Sequence, residues 1–383
     1  MSWDRVIGQS RVKGILRTAI GRKRLAHAYL FSGSAGSGTE ALAIELAKAL
    51  NCSQSVQDAC DRCADCLKIR LLQHPNLHLI FPLPVGKGEK NGDSPLAKLS
   101  DDEIASVREQ IQAKADNPYH SIQVPKANTI KINSVREIRR EVSLAAFARG
   151  MKVFIVFDAE ELNDEASNAL LKTLEEPPPG TIILLTTSRP EALVPTIVSR
   201  CQHIRFDPLS ADEIRVALEQ REGLPPEQSS VIARLSEGSY SRALQLIHTD
   251  MGERRSEALA FLRIALGGTR KEILEEIESL VSDYQRPELE DFFLILQAWI
   301  RDAMVVGHDR EAAIDAEDLE ALQRFARQYP GLDFAAFQQS IDRAVSHLRK
   351  NVYIPLILLN LTFALREATS RPQNTQGAFA SRS

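Results

Sequence analysis

The sequence predicts an α/β fold, a mostly parallel sheet with helices on both faces, followed by an all-helical region. Three observations carry this. Short β-rich apolar runs alternate with amphipathic helical segments through the first half of the 383 residues. One of those runs, Val153-Phe-Ile-Val-Phe157, is apolar throughout, as a strand buried on both faces requires. Beyond Phe206 only helical periodicity remains.

Taken in order, strands are expected at 28–31, 77–81, 152–157, 181–187 and 203–206, with amphipathic helices such as 11–20 and 39–50 between them. The segment 82–125 breaks the alternation. Its first part is rich in Pro, Gly, Lys and Asp, and 101–115 is only weakly helical, so it is expected as a partly mobile surface insertion. Leu209-Ser-Ala-Asp-Glu opens a helical stretch with a cap signal. Helical spacing returns at 258–266, 289–300 and 353–365, while 369–383 is polar and aperiodic, which predicts disorder. The domains expected are therefore 1–207, 208–250 and 251–368, with a tail at 369–383. No internal repeat is found.

Composition narrows the function. Hydrophobic residues make up 44% and charged residues 26%, the balance of an ordinary globular chain. A formal net charge of -4 gives no global attraction to nucleic acid, so any such contact needs a local patch. The longest apolar stretch, 353–359, is interrupted by Pro355 and falls short of a membrane span, and residues 1–5 lack the apolar core of a signal peptide. The expectation is a cytoplasmic protein without a membrane partner.

Gly33-Ser-Ala-Gly36-Ser-Gly38-Thr39-Glu40 follows an expected strand and opens an expected helix, the setting of a phosphate-binding loop. The spacing between Gly33 and Gly38 is intact, but Thr39 and Glu40 stand where a working loop has Lys and then Ser or Thr. The missing cation forfeits an attraction of roughly 4 kcal/mol at about 4 Å and an effective dielectric of about 20, and Glu40 adds a repulsion. A Gly/Ser-rich turn unrelated to nucleotides is the plain alternative. The strand at 152–157 ends in Asp158, as a Walker B strand does. The water-polarising Glu expected next is replaced by Ala159, and Glu160, one step further along a strand end, is expected to point the other way.

Asn168-Ala-Leu-Leu-Lys-Thr-Leu-Glu-Glu-Pro-Pro178 resembles a signature of the bacterial DNA polymerase III clamp-loader subunits, the gamma/tau and delta-prime group of AAA+ proteins. Val6-Ile-Gly-Gln9 is similar to the group's box near the adenine pocket, 25–33 to its lead into the phosphate loop, and Ser199-Arg200-Cys201 to its SRC motif. The resemblance covers about the first 250 residues strongly and the helical remainder only by type. It implies an AAA+ core with a small helical lid and a helical collar for oligomerisation. Gamma and tau keep the loop Lys and the Walker B Glu, and they carry a sensor arginine where this chain has Ser241, with Arg242 displaced by one. These departures point to the delta-prime type.

The resemblance then implies a subunit that binds no ATP productively. It would act with gamma/tau and delta subunits to load the sliding clamp on primer-template DNA. Gly33, Gly36 and Gly38 would be a vestigial loop. Arg200 would serve a neighbour's nucleotide as an arginine finger, since a planar, always charged guanidinium at such an edge can reach a γ-phosphate. A surface salt bridge is the plain alternative for any single Arg. The runner-up reading is an active gamma/tau-type ATPase. A third class, a zinc-dependent nucleic-acid module without a motor partner, leaves Ser199-Arg200-Cys201 and the 168–178 signature unexplained.

Cys52, Cys60, Cys63 and Cys66 read C-x7-C-x2-C-x2-C, a spacing that closes one tetrahedral Zn²⁺ site, against the alternative of four free thiols. Clamp-loader subunits similarly carry a zinc module between the first helix and the second strand. Cys201 is expected as a core thiol. Arg136, Arg139 and Arg140 lie on neighbouring helical turns; the resemblance suggests contact with duplex phosphates, and a solvated face paired with Glu137 and Glu141 fits as well.

Overall fold

The computed structural model describes residues 3–55, 58–143, 150–177, 179–247, 251–284, 286–306, 319–329, 332–349 and 352–370. The expected disorder of the tail, from 371 on, and the last residue of the 168–178 signature lie outside them. The chain divides into two compact units, 1–244 and 245–383.

Unit 1 is built on five strands: β1 (Ala28–Ser32), β2 (Leu77–Ile80), β3 (Lys152–Val156), β4 (Thr181–Thr187) and β5 (Gln202–Arg205). All are parallel, in the order β2-β3-β4-β1-β5. Every residue of β1, β3 and β4 is buried, which explains their continuous apolar runs. Successive side chains face opposite sides. Ala28, Leu30, Phe154, Val156, Ile183 and Leu185 form one core with side chains of α5 (Ile132–Ser143), α6 (Asp164–Glu175) and α7 (Pro195–Arg200). The alternate residues Phe31, Val153, Ile155 and Leu184 are equally buried, and α2 (Thr39–Asn51) packs on β3 and β4. Burying each such side chain contributes about 1.5–3 kcal/mol. The α/β core expected from the sequence, a five-stranded parallel sheet with helices packed on it, is therefore present.

The remaining helices of this unit are α1 (Ser10–Gly21), α3 (Ala64–Arg70), α4 (Asp101–Asp116), α8 (Ala211–Ala217), α9 (Pro226–Leu235) and α10 (Tyr240–Ile247). Ser100 and Ser210 form capping boxes with Glu103 and Glu213, which start α4 and α8. The 82–125 segment differs from the loose insertion that its composition predicts. Leu83, Leu99, Val107, Tyr119, Ile122 and Val124 are buried. Its Pro/Gly-rich part wraps a buried ion pair, Lys131 Nζ to Glu89 at 2.8 Å, and Lys131 also donates to the carbonyls of Pro84 and Pro95. Polar residues that read as solvated are internally satisfied instead.

Beyond the end of α10, the described elements of unit 2 are all helices: α11 (Met251–Gly267), α12 (Arg270–Asp283), α13 (Arg286–Val306), α14 (Leu319–Gln328), α15 (Phe334–Arg349) and α16 (Ile354–Ser370). Phe292, Phe293, Leu296 and Ile300 of α13 lie at the centre of its core, among Phe261, Phe337, Ile341 and Leu358.

Candidate functional site

Gly33 to Glu40 runs from β1 into α2 as the glycine spacing predicts. Gly36 (φ 75°) and Gly38 (φ 103°) hold left-handed backbone that other residues rarely adopt. A Cβ at Gly36 would collide with Ser239 Oγ, and one at Gly33 would come within 2.8 Å of Phe206 Cβ. The C-terminal part of the loop, Ser37 to Thr39, is packed in, while Ser34 and Ala35 at its tip are exposed. Ser37 is fully buried and Thr39 nearly so. The Tyr240 amide donates to the Gly36 carbonyl at 3.1 Å. Gln9 Nε2 donates to the carbonyls of Ser37 (3.0 Å) and Asp207 (2.7 Å), placing the Val6–Gln9 box against the loop.

Glu40 does not face an empty metal seat. Its carboxylate is ion-paired with Lys114 of α4. The Lys114 ammonium also donates to the His120 carbonyl (2.6 Å) and stands 5.1 Å from the centre of the Phe157 ring. Sequence reasoning missed Lys114 and Tyr119, and no local pattern marks either of them.

Asp158 takes left-handed backbone (φ 50°) just past β3. Burial, then the charges of Glu40 and Glu160, push its carboxyl up to about 7, with Lys114 pulling the other way. The alternation of a strand does not govern Glu160, because β3 ends at Val156 and 159–161 is a 3₁₀ turn. Glu160 Oε1 accepts from the Ser188 amide (3.0 Å) and hydroxyl (2.8 Å). Asp158, Glu160, Glu161 and Arg189 line one cavity of about 410 Å³, in which none of the loop glycines takes part. Ala159 is buried.

An acid whose folded pKa lies above its unfolded value loses stability as pH rises between the two. Asp158→Asn is therefore expected to stabilise the protein by an increment that grows from about pH 4 to pH 7 and levels off above. Thermal melts of both proteins at pH 5 and pH 8 check this; an equal Tm difference at the two values would refute it.

Arg200 ends α7 at the surface. Its guanidinium donates to the Thr196 carbonyl (3.1 Å) and to Glu175 Oε1 (2.7 Å), the last residue of α6. Both partners of this pair are solvent-exposed, with side chains 36% and 49% accessible. Cys201 is half-buried against the sheet core, and burial pushes its thiol up to about 12.

The four clustered cysteines do converge. Their sulfurs all lie within 4.8 Å of one another. A tetrahedral site with Zn–S near 2.3 Å needs sulfurs about 3.8 Å apart, and Cys60 and Cys66 stand 4.0 Å apart. Backbone amides already point at the sulfurs: Cys60 N–H to Cys52 (3.3 Å), Cys63 N–H to Cys60 (3.3 Å), Cys66 N–H to Cys63 (3.4 Å). For Cys63, burial is outweighed by hydrogen bonds from Ser53 and the Cys66 amide, and its thiol falls to about 6. Hydrogen bonds from the Arg62 and Cys63 amides lower Cys60, whereas burial raises Cys66. Four converging sulfurs, three of them met by backbone amides, and no open position fit a metal ion. Lys48 of α2, itself paired with Glu45 of the same helix (2.6 Å), anchors the module through Asp61 (2.5 Å).

Arg136, Arg139 and Arg140 are exposed on α5. Arg140 pairs with Glu137 (3.0 Å) and donates to the Gly92 carbonyl (3.1 Å), so part of this face serves the fold.

Comparison with known proteins agrees with this geometry. A family model described as "DNA polymerase III, delta subunit" matches residues 8–210. The chain is 28% identical over 257 residues to DNA polymerase III subunit delta' of Bacillus subtilis, covering 67% of this chain and 64% of that protein. It is 31% identical over 251 residues to subunit tau of the same organism, covering 64% of this chain and 37% of that one. Subunit tau of Escherichia coli is 29% identical over 247 residues, with 63% of this chain and 32% of that protein covered. The chain thus spans just under two thirds of the delta' relative and about a third of the tau relatives. With more than half of its length matched by one family model, the chain belongs to the DNA polymerase III delta-subunit family.

Proposed function

We propose that this protein is a non-hydrolysing, delta-prime-like subunit of the bacterial DNA polymerase III clamp loader and lends Arg200 to the nucleotide of a neighbouring subunit. One contrast carries the reading. The chain's own phosphate loop lacks its cation and has its C-terminal part, Ser37 to Thr39, buried by protein contacts, while a guanidinium stands at the surface on nothing stronger than an exposed ion pair. Unit 2 would be the collar through which gamma/tau and delta subunits assemble in the cytoplasm, and 208–250 the lid. The ring would place the sliding clamp on primed DNA. The test is a loader reconstituted with Arg200→Ala, expected to assemble normally and to turn over less ATP.

The cysteine cluster would hold one structural Zn²⁺. Amide-to-sulfur hydrogen bonds and mutual sulfur distances support that ion over redox chemistry. Arg136, Arg139 and Arg140 would add sequence-independent phosphate contacts, each released phosphate weakening the salt dependence. A loader with all three as Ala is expected to bind primer-template more weakly, with a shallower dependence of log K on log salt by up to about 3 units. Binding and slope equal to wild type would assign these residues to a solvated face.

A further inference from the structure

The structure places a second element of the chain in its phosphate loop. We propose that the stretch around Lys114 and Tyr119 acts as a built-in ligand. Its ammonium answers the loop carboxylate and its phenol wedges between loop and box, fastening the loop to the 208–244 helices without nucleotide. This rests on the reading above that the loop takes no ATP productively, but not on Arg200 or on clamp loading.

Two sets of contacts make the argument. The first is electrostatic. Glu40, in the first turn of α2, lies near Asp158, and each charge opposes the other. Lys114 is 1% exposed and pairs with Glu40, so a single buried ammonium offsets this concentration of carboxylates. A working loop draws its cation from within. This one is supplied from α4, 74 residues further along the chain.

The second set is steric. The Tyr119 hydroxyl accepts from the Ile7 amide at 2.7 Å and would sit 3.1 Å from a Cβ at Gly38, bridging the box and the loop. Its carbonyl accepts from Ser241 Oγ at 2.5 Å, and its ring packs edge-on against Tyr240 with centroids 5.0 Å apart. Tyr240 in turn donates its amide to Gly36 and its hydroxyl to Glu222 (3.0 Å), with the Arg221 guanidinium over its ring. Arg221 closes the circuit on the carbonyls of Asp4 (2.8 Å) and Arg5 (3.1 Å). Loop, wedge and helices are therefore joined by direct protein contacts.

Hydrogen exchange on the purified full chain tests this. In wild type, amides of 33–40 and 239–243 are expected to be protected alike, and Mg-ATP is expected to change neither. Tyr119→Ala should speed exchange in both segments together by about tenfold or more, with 289–300 unaffected. Lys114→Met, which keeps volume and removes charge, should do the same, whereas a side chain that merely fills space would be silent on losing its charge. If Tyr119→Ala does not fold, Tyr119→Phe and Lys114→Met carry the test. Folded variants exchanging within about twofold of wild type in both segments would overturn the built-in ligand alone. Protection of 33–40 by Mg-ATP in wild type would overturn it together with the reading that the loop takes no nucleotide.

Discussion

In a clamp loader reassembled with Arg200→Ala, ATP turnover at the site facing this subunit is expected to fall by about 10³-fold or more. Total DNA- and clamp-stimulated ATPase should fall by that site's share. The subunit itself should scarcely notice. Arg200 gives up only the Thr196 carbonyl and a pair with Glu175 in which both side chains are well exposed, a contact worth about 0–1 kcal/mol. The asymmetry between a small folding effect and a large catalytic one separates a finger from a structural salt bridge. Arg200→Lys sharpens the comparison, because it keeps the charge and loses the planar fork that spans two phosphate oxygens; it should recover little of the rate. Wild-type turnover by a fully assembled Arg200→Ala loader would return Arg200 to the category of surface ion pairs.

Much of the fold was legible because three of its five strands, β1, β3 and β4, are buried on both faces. An uninterrupted apolar run has few other interpretations, and 181–187 was placed to the residue while the other strands moved by one residue at their ends. The loop glycines and the four cysteines were equally legible, since both chemistries demand a residue type at fixed local spacing. What failed was everything decided by distant partners. The Lys131–Glu89 pair spans 42 residues and orders a segment whose composition signals mobility. Lys114 and Tyr119 sit on and beside a polar helix with no periodic signature, so nothing local distinguishes them from solvated side chains. Glu160 shows a smaller version of the same limit: a strand rule was applied to a residue four positions after the strand had ended.

Purified protein is expected to carry one zinc per chain, and Cys66→Ser to abolish it. Cys66 is the most buried of the four thiols, and the serine oxygen is both shorter and harder than the sulfur it replaces. Structural zinc contributes about 10–16 kcal/mol to zinc-finger peptides. Here the module is also held by Lys48 through Asp61 and by Trp3 through Asp58, so only part of that energy is at stake. Losing even about 4 kcal/mol would lower Tm by roughly 8–16 °C for a unit of this size. The sheet core of β1, β3 and β4 contains none of the four sulfurs, so chelation should loosen 52–70 first and leave 152–187 protected from exchange. Thiol reactivity gives an independent readout, because metal-bound thiolates react slowly and four freed ones react at once. Binding should also weaken toward acid, where protons compete for the sulfurs, most strongly at Cys66, whose thiol burial holds above its usual range. Protein purified without chelator that carries almost no metal and shows all four thiols reactive would reduce the cluster to a packing arrangement of free cysteines.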